Sequence, residues 1–380
     1  MNIMDLSIYE KKFDNQKTYL VISQTEISAL IKKFGIKLLI EKLSTSLRGR
    51  FPDKSYQITR KDLLDGFHSL SKWEPSWVNE PWVVRNMPYY KSPFHFDGKP
   101  LLLETPSSQY ALDKIPEYFT DEHRMQVQRY DVKQSPITTW KKETARITGM
   151  CMKRYKRIDP ESLRETVYSM GEEATEFKVT VGIAIIKKFK STRILDISAG
   201  RGIRLFAALV SQLSWYVACD PDTGLIPIHE SIVKLAQESG EKSTGNKRTK
   251  VQICYKPFED MNPSELQCKE FDLIFTSPPY FNLEIYSSAE TQSVSRYPEV
   301  DQWMNGFLFP ALKKSWELLA RGGTMAININ DVRGGPQYVM KMIEYANKLP
   351  NSKFRGVIGY GDNSRGKPVP GQPIWCWTKI

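Results

Sequence analysis

The residues of this 380-residue chain best suited to chemistry are Ser277-Pro278-Pro279-Tyr280. The short apolar run Phe271-Asp272-Leu273-Ile274-Phe275 reads as a buried strand, and Thr276-Ser277-Pro278-Pro279 ends it abruptly. Two prolines fix φ and remove two backbone donors, so the chain leaves the sheet in a rigid, extended turn. The carbonyl between Ser277 and Pro279 then points in one direction, and an aromatic ring follows at once. Such a turn can hold a flat ring that carries an amino group. Alone, it also fits a proline-stiffened strand exit with a packed tyrosine.

The elements that must position this turn lie upstream. Arg193 to Asp196 reads as a strand, Ser198-Ala199-Gly200-Arg201-Gly202 as a glycine turn, and Ile203 onward as a helix start. Gly200 and Gly202 permit tight backbone geometry and close approach of a ligand at a helix N-terminus. A second strand, Trp215 to Cys219, ends in Asp220, where nucleotide-binding α/β folds hold ribose hydroxyls. A third, Val251 to Tyr255, leads into Phe258-Glu259-Asp260. Four successive strand ends thus carry a glycine turn, an acid, an aromatic–acid pair and the Pro-Pro turn. This is a site at the carboxyl edge of a parallel sheet.

From about Phe177 onward the chain resembles the S-adenosylmethionine-dependent DNA amino-methyltransferases of the N4-cytosine/N6-adenine type. Asp196-Ile197-Ser198-Ala199-Gly200-Arg201-Gly202 is similar to that family's cofactor loop and Thr276-Ser277-Pro278-Pro279-Tyr280 to its catalytic loop. Leu318 to Ile329 resembles the helix, Gly-Gly turn and strand that follow. The resemblance implies a Rossmann-like α/β fold, a mainly parallel twisted sheet ending in an antiparallel strand pair. It implies S-adenosylmethionine as cofactor, with Asp196, Ser198 and the Ala199–Gly202 backbone at its methionine part and Asp220 on its ribose. Phe258 and Glu259 would border its adenine, and Phe177 and Lys178 would make the first cofactor contact. Ser277, Pro278, Pro279 and Tyr280 would be catalytic, acting on a base flipped out of a duplex or already unpaired.

Two features depart from the family. Its catalytic loop often opens with Asp or Asn, and the serine here leans towards cytosine N4 without excluding adenine N6. The stretch between Gly202 and Thr276 is too short for an inserted target-recognition module, so recognition falls to residues 1 to about 165. The resemblance therefore divides the chain into a basic, aromatic-rich N-terminal domain (1–165), mostly helical or irregular, and a methyltransferase domain (166–380). An RNA base methyltransferase and a silent nucleic-acid-binding subunit remain as alternatives.

Composition agrees with a polyanionic partner, and the resemblance implies DNA rather than RNA. The net charge is +11, and residues 1–190 carry 32 Lys and Arg against 24 Asp and Glu. Lys153, Arg154, Lys156 and Arg157 form the best phosphate-contact cluster, with Lys247 and Arg248 in a polar loop as further candidates. A basic surface is also often only a solubility device. A protein partner or homo-oligomer stays open. The five cysteines show no C-x-x-C spacing, and the histidines are scattered, so no metal site is expected. No apolar run is long enough to span a bilayer, and Met1 to Asp5 lacks the form of a secretory signal. A cytoplasmic protein, or a nuclear or viral-factory equivalent, is expected.

In the front half, apolar spacing predicts one basic amphipathic helix over Thr25–Leu47 and a second over Ser55–Ser71. Trp73 to Pro106 reads as irregular and held by aromatic packing, and Tyr118–Tyr130 and Ser135–Lys142 as more of the same layer. Helices are expected at Thr175–Phe189, Pro227–Glu238, Val300–Leu319 and Gln337–Leu349. Phe281 to Pro298 reads as a mobile loop over the site.

Overall fold

The computed structural model describes residues 4–84, 95–129, 134–171, 173–240, 248–332, 334–362 and 369–380. They form two compact units that alternate along the chain: residues 1–65 with 117–176, and 66–116 with 177–380. The described residues of 66–116, assigned from sequence to the N-terminal domain, thus group with the sheet.

The second unit is built on a mixed sheet. Its central strands are β1 (Arg193–Asp196), β2 (Trp215–Cys219), β3 (Lys250–Cys254), β4 (Phe271–Thr276), β5 (Leu319–Asn328), β6 (Ser352–Gly361) and β7 (Val369–Lys379), in the order β3-β2-β1-β4-β5-β7-β6. The first five are parallel, and β7 runs antiparallel between β5 and β6. This is the doubly wound arrangement and closing strand pair expected from the sequence. Strands buried on both faces need continuous apolar runs, as Ile194-Leu195 and Leu273-Ile274-Phe275 provide. Asp272 interrupts the run for a reason: its carboxylate accepts the Thr192 and Arg193 N–H groups (3.1 Å each) and ties β4 to the start of β1. The chain steps from β1 outward to β3, then returns to place β4 on the other side of β1. The carboxyl ends of β1 and β4 therefore frame the topological switch point, where open α/β sheets bind ligands.

The stretch 73–106, expected to be irregular, instead adds three short strands to this sheet. Leu102–Glu104 pairs in parallel with β6, Trp77–Val78 lies beyond it, and Trp82–Val84 pairs with β7. Trp82 is buried on Gly359 and Gly371, filling the core and leaving no ring face for a base. Tyr89, Tyr90 and Phe94 of this stretch, with Arg85 and Lys91, lie outside the described residues.

The first unit is helical. The helix expected over Thr25–Leu47 is two, Gln24–Phe34 and Ile36–Leu47, because Gly35 sits at φ +78°. The next helix starts at Arg60 rather than Ser55, after a 3₁₀ turn at Lys54–Tyr56. Glu117–Arg124 and Pro136–Tyr155 are helices, not irregular structure, the second kinked at Glu143; Ser135 caps it and Pro136 occupies its first turn. Tyr19, Leu39, Leu43, Leu47, Trp140, Ile147 and Leu163 form the core.

Beside that core lies a buried ionic cluster. Asp121 accepts from Arg124 (2.7 Å), from Arg164 (3.1 Å) and from the Lys54 N–H (3.0 Å). Glu173 pairs with both arginines, and Lys54 lies 3.7 Å from Glu117. Arg164 is only 1% exposed. Burial raises the Asp121 pKa, but the two guanidinium groups outweigh it and hold the carboxyl below its usual value.

Counted by these units, the charge is distributed differently from the sequence halves. The first unit carries 23 Lys and Arg against 19 Asp and Glu, +4, and the second 31 against 24, +7. The concentration of positive charge in the front half came from Lys178, Lys187, Lys188 and Lys190, which belong with the sheet. Among the described residues no helix is long and apolar enough to cross a membrane, and no cluster of metal-ligating side chains occurs. All five cysteines are free thiols.

Candidate functional site

At the switch point the two expected turns are joined by one side chain. Ser198, from the glycine turn after β1, donates its hydroxyl to the Ser277 carbonyl (3.0 Å) and bonds the Thr276 hydroxyl (2.7 Å) at the end of β4. The turns are thus one structure. Ala199 N–H bonds Cys219 O on β2 (2.8 Å), fixing the turn against the next strand.

Asp196 is fully buried, at 0% exposure. Its carboxylate accepts from Arg204 Nε (2.7 Å), the Tyr216 hydroxyl (2.9 Å) and Ser198 N–H (3.2 Å). Burial works against the Arg204 charge, yet Asp196 outweighs it and raises the guanidinium pKa. Arg204 also donates to the Ser198 carbonyl and lies over the Phe177 ring, 5.4 Å from its centre. Asp196 therefore acts through the turn's framework and exposes no atom to a ligand. Arg204 and Tyr216 were not singled out from the sequence. Arg204 could have been: an arginine at the start of an otherwise apolar helix, one turn beyond a buried acid, needs a partner.

Gly200 and Gly202 both have positive φ, +53° and +82°. A Cβ on Gly202 would stand 2.9 Å from His229 Cδ2 and 3.0 Å from Ile232 Cδ1. On Gly200 it would meet nothing nearer than Ser198 O at 4.0 Å, so this glycine borders open space. Both peptide planes flanking Gly200 are held: its N–H donates to Asp220 Oδ2 (2.7 Å), and its carbonyl lies 2.8 Å from His229 Nε2. Asp220 Oδ1 accepts Asp222 N–H (3.0 Å). Burial pushes the Asp220 carboxyl up to about 6, and these two N–H donors oppose the shift. His229 escaped the sequence reading although it sits on the buried face of the Ile226–Gly240 helix with Ile232 and Leu235, beside Leu225 of the preceding 3₁₀ turn in the sequence. A polar side chain on that apolar face was the available signal.

Beyond β3, Phe258 is buried in the core and Lys314 lies over its ring. Lys314 Nζ donates to the Phe258, Glu259 and Met261 carbonyls at 3.0, 2.6 and 2.7 Å, which fixes the Phe258–Asp260 turn. Glu259 pairs with Arg296 through Oε1 (2.9 Å), while its buried Oε2 has no partner among the described residues. Burial raises the Glu259 pKa despite Arg296. Arg296 also binds Asp260 (2.8 Å). The segment expected as a mobile loop, Phe281–Pro298, is thus fastened to the site, with Phe281 in the core against Trp303. The helix that follows carries a π turn at Met304–Leu308 before Pro310, rather than running evenly from Val300 to Leu319.

The Tyr280 hydroxyl lies 3.3 Å from Asn328 Oδ1 at the end of β5, which also accepts from Tyr360 (3.4 Å). Asn328 Nδ2 donates to Pro373 O (2.8 Å), which fixes the amide's orientation. Burial pushes the Tyr280 phenol up to about 12, against a hydrogen bond from the Ser277 side chain. The helix expected from Thr175 begins at Val179, because Asp113 accepts the Thr180 N–H (3.0 Å) and hydroxyl (2.8 Å) in its first turn. Phe177 and Lys178 therefore precede the helix; Phe177 packs edge-on to Phe275, and Lys178 reaches Thr105 O at 3.5 Å.

The basic cluster lies in the other unit, at the C-terminal end of the Pro136–Tyr155 helix, where cations suit the helix dipole. Lys153, Arg154 and Lys156 are exposed, whereas Arg157 is engaged by Asp159 (2.8 Å) and Glu161 (3.3 Å). Arg248 is exposed in the second unit, and Lys247 lies outside the described residues.

No family model matches this chain, and no curated protein matches it significantly. Solved structures similar to it include TrmN from Thermus thermophilus, at 16% identity and a TM-score of 0.33, covering 54% of this chain and 49% of that one. A putative O-methyltransferase from Klebsiella pneumoniae shows 15% identity and a TM-score of 0.35, covering 56% and 85%. The M. jannaschii tRNA m1G37 methyltransferase shows 12% identity and a TM-score of 0.32, covering 52% and 48%. The chain thus spans about half the length of the first and third of these.

Proposed function

We propose that this protein transfers a methyl group from S-adenosylmethionine to an exocyclic amino group of a base in DNA, cytosine N4 or adenine N6. The observation that carries this reading is the Ser198 bridge, which makes the glycine turn and the Ser-Pro-Pro-Tyr turn a single site at the switch point.

The residues fit the cofactor. Open space at Gly200 admits a ligand against the turn. Asp220 accepts one N–H at each oxygen and retains lone pairs for a ribose diol. The unpartnered Glu259 Oε2 suits an amino group such as that on adenine. Phe177, Lys178, Ser198 and Ala199 flank the methionine end, and Asp196 supports them from beneath. The cofactor supplies an electrophilic methyl.

The chain's own residues then activate the acceptor nitrogen, whose lone pair is delocalised into the base ring. With the Ser277 carbonyl occupied by Ser198, the Ser277 hydroxyl and the Pro278 carbonyl are the acceptors for the amine hydrogens. Accepting those hydrogens favours a tetrahedral nitrogen with its lone pair turned outward. Pro279 keeps the turn rigid, and Tyr280, its hydroxyl held by Asn328, supplies a ring face for stacking. Catalysis of this kind is mainly positioning, an effect worth roughly 7–11 kcal/mol at best. Lys153, Arg154, Lys156 and Arg248 are the candidate phosphate contacts.

The test is incubation of the protein with radiolabelled S-adenosylmethionine and equal masses of unmethylated DNA and total RNA, with Pro279→Ala as control. Label in DNA, lost in the variant, supports the proposal, and nucleoside digestion separates N4-methylcytosine from N6-methyladenine. Label confined to RNA replaces DNA by RNA as substrate. Cofactor binding without transfer to either removes the catalytic role and leaves a silent nucleic-acid-binding subunit.

A further inference from the structure

We infer that His229 is a positioning residue that sets the affinity of the cofactor site by fixing the Gly200–Arg201 peptide plane, with Tyr255 setting its tautomer. This rests on the cofactor reading above. His229 is 2% exposed, and its Nε2 lies 2.8 Å from Gly200 O. A carbonyl only accepts, so Nε2 carries the hydrogen. Nδ1, 3.0 Å from the Tyr255 hydroxyl, is then the acceptor. The Tyr255 ring stacks on the imidazole at 5.9 Å and 26°.

The same ring touches both glycines of the turn, one by a hydrogen bond and one by contact. Its Cδ2 edge occupies the place a Cβ on Gly202 would need. Asp220 holds the Ala199–Gly200 plane through the Gly200 N–H while His229 holds the Gly200–Arg201 plane through the carbonyl, so the chain cannot turn about Gly200 without breaking one bond or the other. The Gly200–Arg201 plane decides where the Arg201 N–H and the amides opening the Ile203–Val210 helix point. Loss of the His229 donor would take away the Gly200 carbonyl's partner and release the plane.

The variants are His229→Phe, which keeps the ring and removes the donor, and His229→Gln, which places an N–H near the Nε2 position. The measurements, on the full chain, are calorimetric binding of S-adenosylhomocysteine and hydrogen exchange of the peptide covering residues 197–204 without ligand. His229→Phe should weaken binding roughly tenfold or more and speed exchange, with KM for the cofactor rising more than kcat falls. His229→Gln should restore binding to within about threefold of the unsubstituted protein. Full affinity in His229→Phe overturns the inference, as does a glutamine variant no better than the phenylalanine one. If the unsubstituted protein binds no S-adenosylhomocysteine, the cofactor reading fails separately. Loop exchange that is unchanged in His229→Phe then overturns the role of His229 by itself.

Discussion

Gly200→Ala and Gly202→Ala add the same methyl group to the same turn, two residues apart, with different consequences. Both positions have positive φ, +53° and +82°, which costs an L residue roughly 1–2 kcal/mol. At Gly202 the methyl also meets His229 and Ile232 at 2.9 and 3.0 Å. Overpacking of that kind adds about 1–3 kcal/mol. The expected loss of stability is therefore about 2–5 kcal/mol for Gly202→Ala and about 1–2 kcal/mol for Gly200→Ala. Binding should order the variants differently. The Gly200 methyl enters the space proposed for the cofactor, so its affinity should fall at least tenfold, a change of about 1.4 kcal/mol. Urea denaturation and calorimetry with S-adenosylhomocysteine measure the two quantities separately. Unimpaired binding by Gly200→Ala would show that no ligand lies against the turn. Equal destabilisation by the two variants would refute the packing argument.

Asp220 should make the site pH-dependent. Its pKa in the folded chain is raised from 3.8 to about 6, so the native state binds the proton more tightly than the unfolded chain. Its contribution to stability therefore falls as pH rises from about 4 through 6, while affinity for a ribose diol, which needs the carboxylate, rises over the same window. Asp220→Asn should abolish both trends in calorimetric and denaturation profiles; a pH-independent affinity in the unsubstituted protein would count against the diol role. Tyr280→Ala should lose about 1–3 kcal/mol of base stacking and Tyr280→Phe far less, read as kcat/KM for the nucleic acid. Similar losses in both would point to the hydroxyl instead. Arg164→Met, which leaves Asp121 and Glu173 short of a buried partner, should cost about 3–5 kcal/mol in urea denaturation. A cost below 1 kcal/mol would mean that neighbouring charges compensate. Lys153→Ala with Lys156→Ala should weaken binding to all sequences alike and lower the salt slope by about two. An unchanged slope would place phosphate contact elsewhere.

The strand ends were legible because each motif there combines a backbone requirement with a chemical one. Gly202 needs positive φ and close packing, and Ser-Pro-Pro-Tyr ends a buried strand and presents a ring. What holds those ends in place was not legible. Arg204, Tyr216 and His229 act through distant partners, and single polar residues carry no spacing signal. The Gly35 break was hidden because apolar residues recur at helical intervals on both sides of it. The strands at Trp77, Trp82 and Leu102 were obscured because they are two or three residues long and lie among prolines. The strands at Leu102 and Trp82 also pair with partners more than two hundred residues away, beyond the reach of any local pattern.

That last separation bears on how the chain is made. Leu102 pairs with Gly359, so the strand emerges from the ribosome long before its partner exists. At roughly 5–20 residues per second the wait is about 15–50 s. Residues 1–65 and 117–176 can meanwhile assemble their own core, looping out 66–116 as an unpaired segment rich in tryptophan and proline. Proteolysis of chains arrested shortly after residue 200 should cut within 66–116 and spare the segments on either side. A nascent chain in that state presents strand edges to its surroundings, so the yield of folded protein should depend on chaperones during synthesis more than on the stability of the finished molecule.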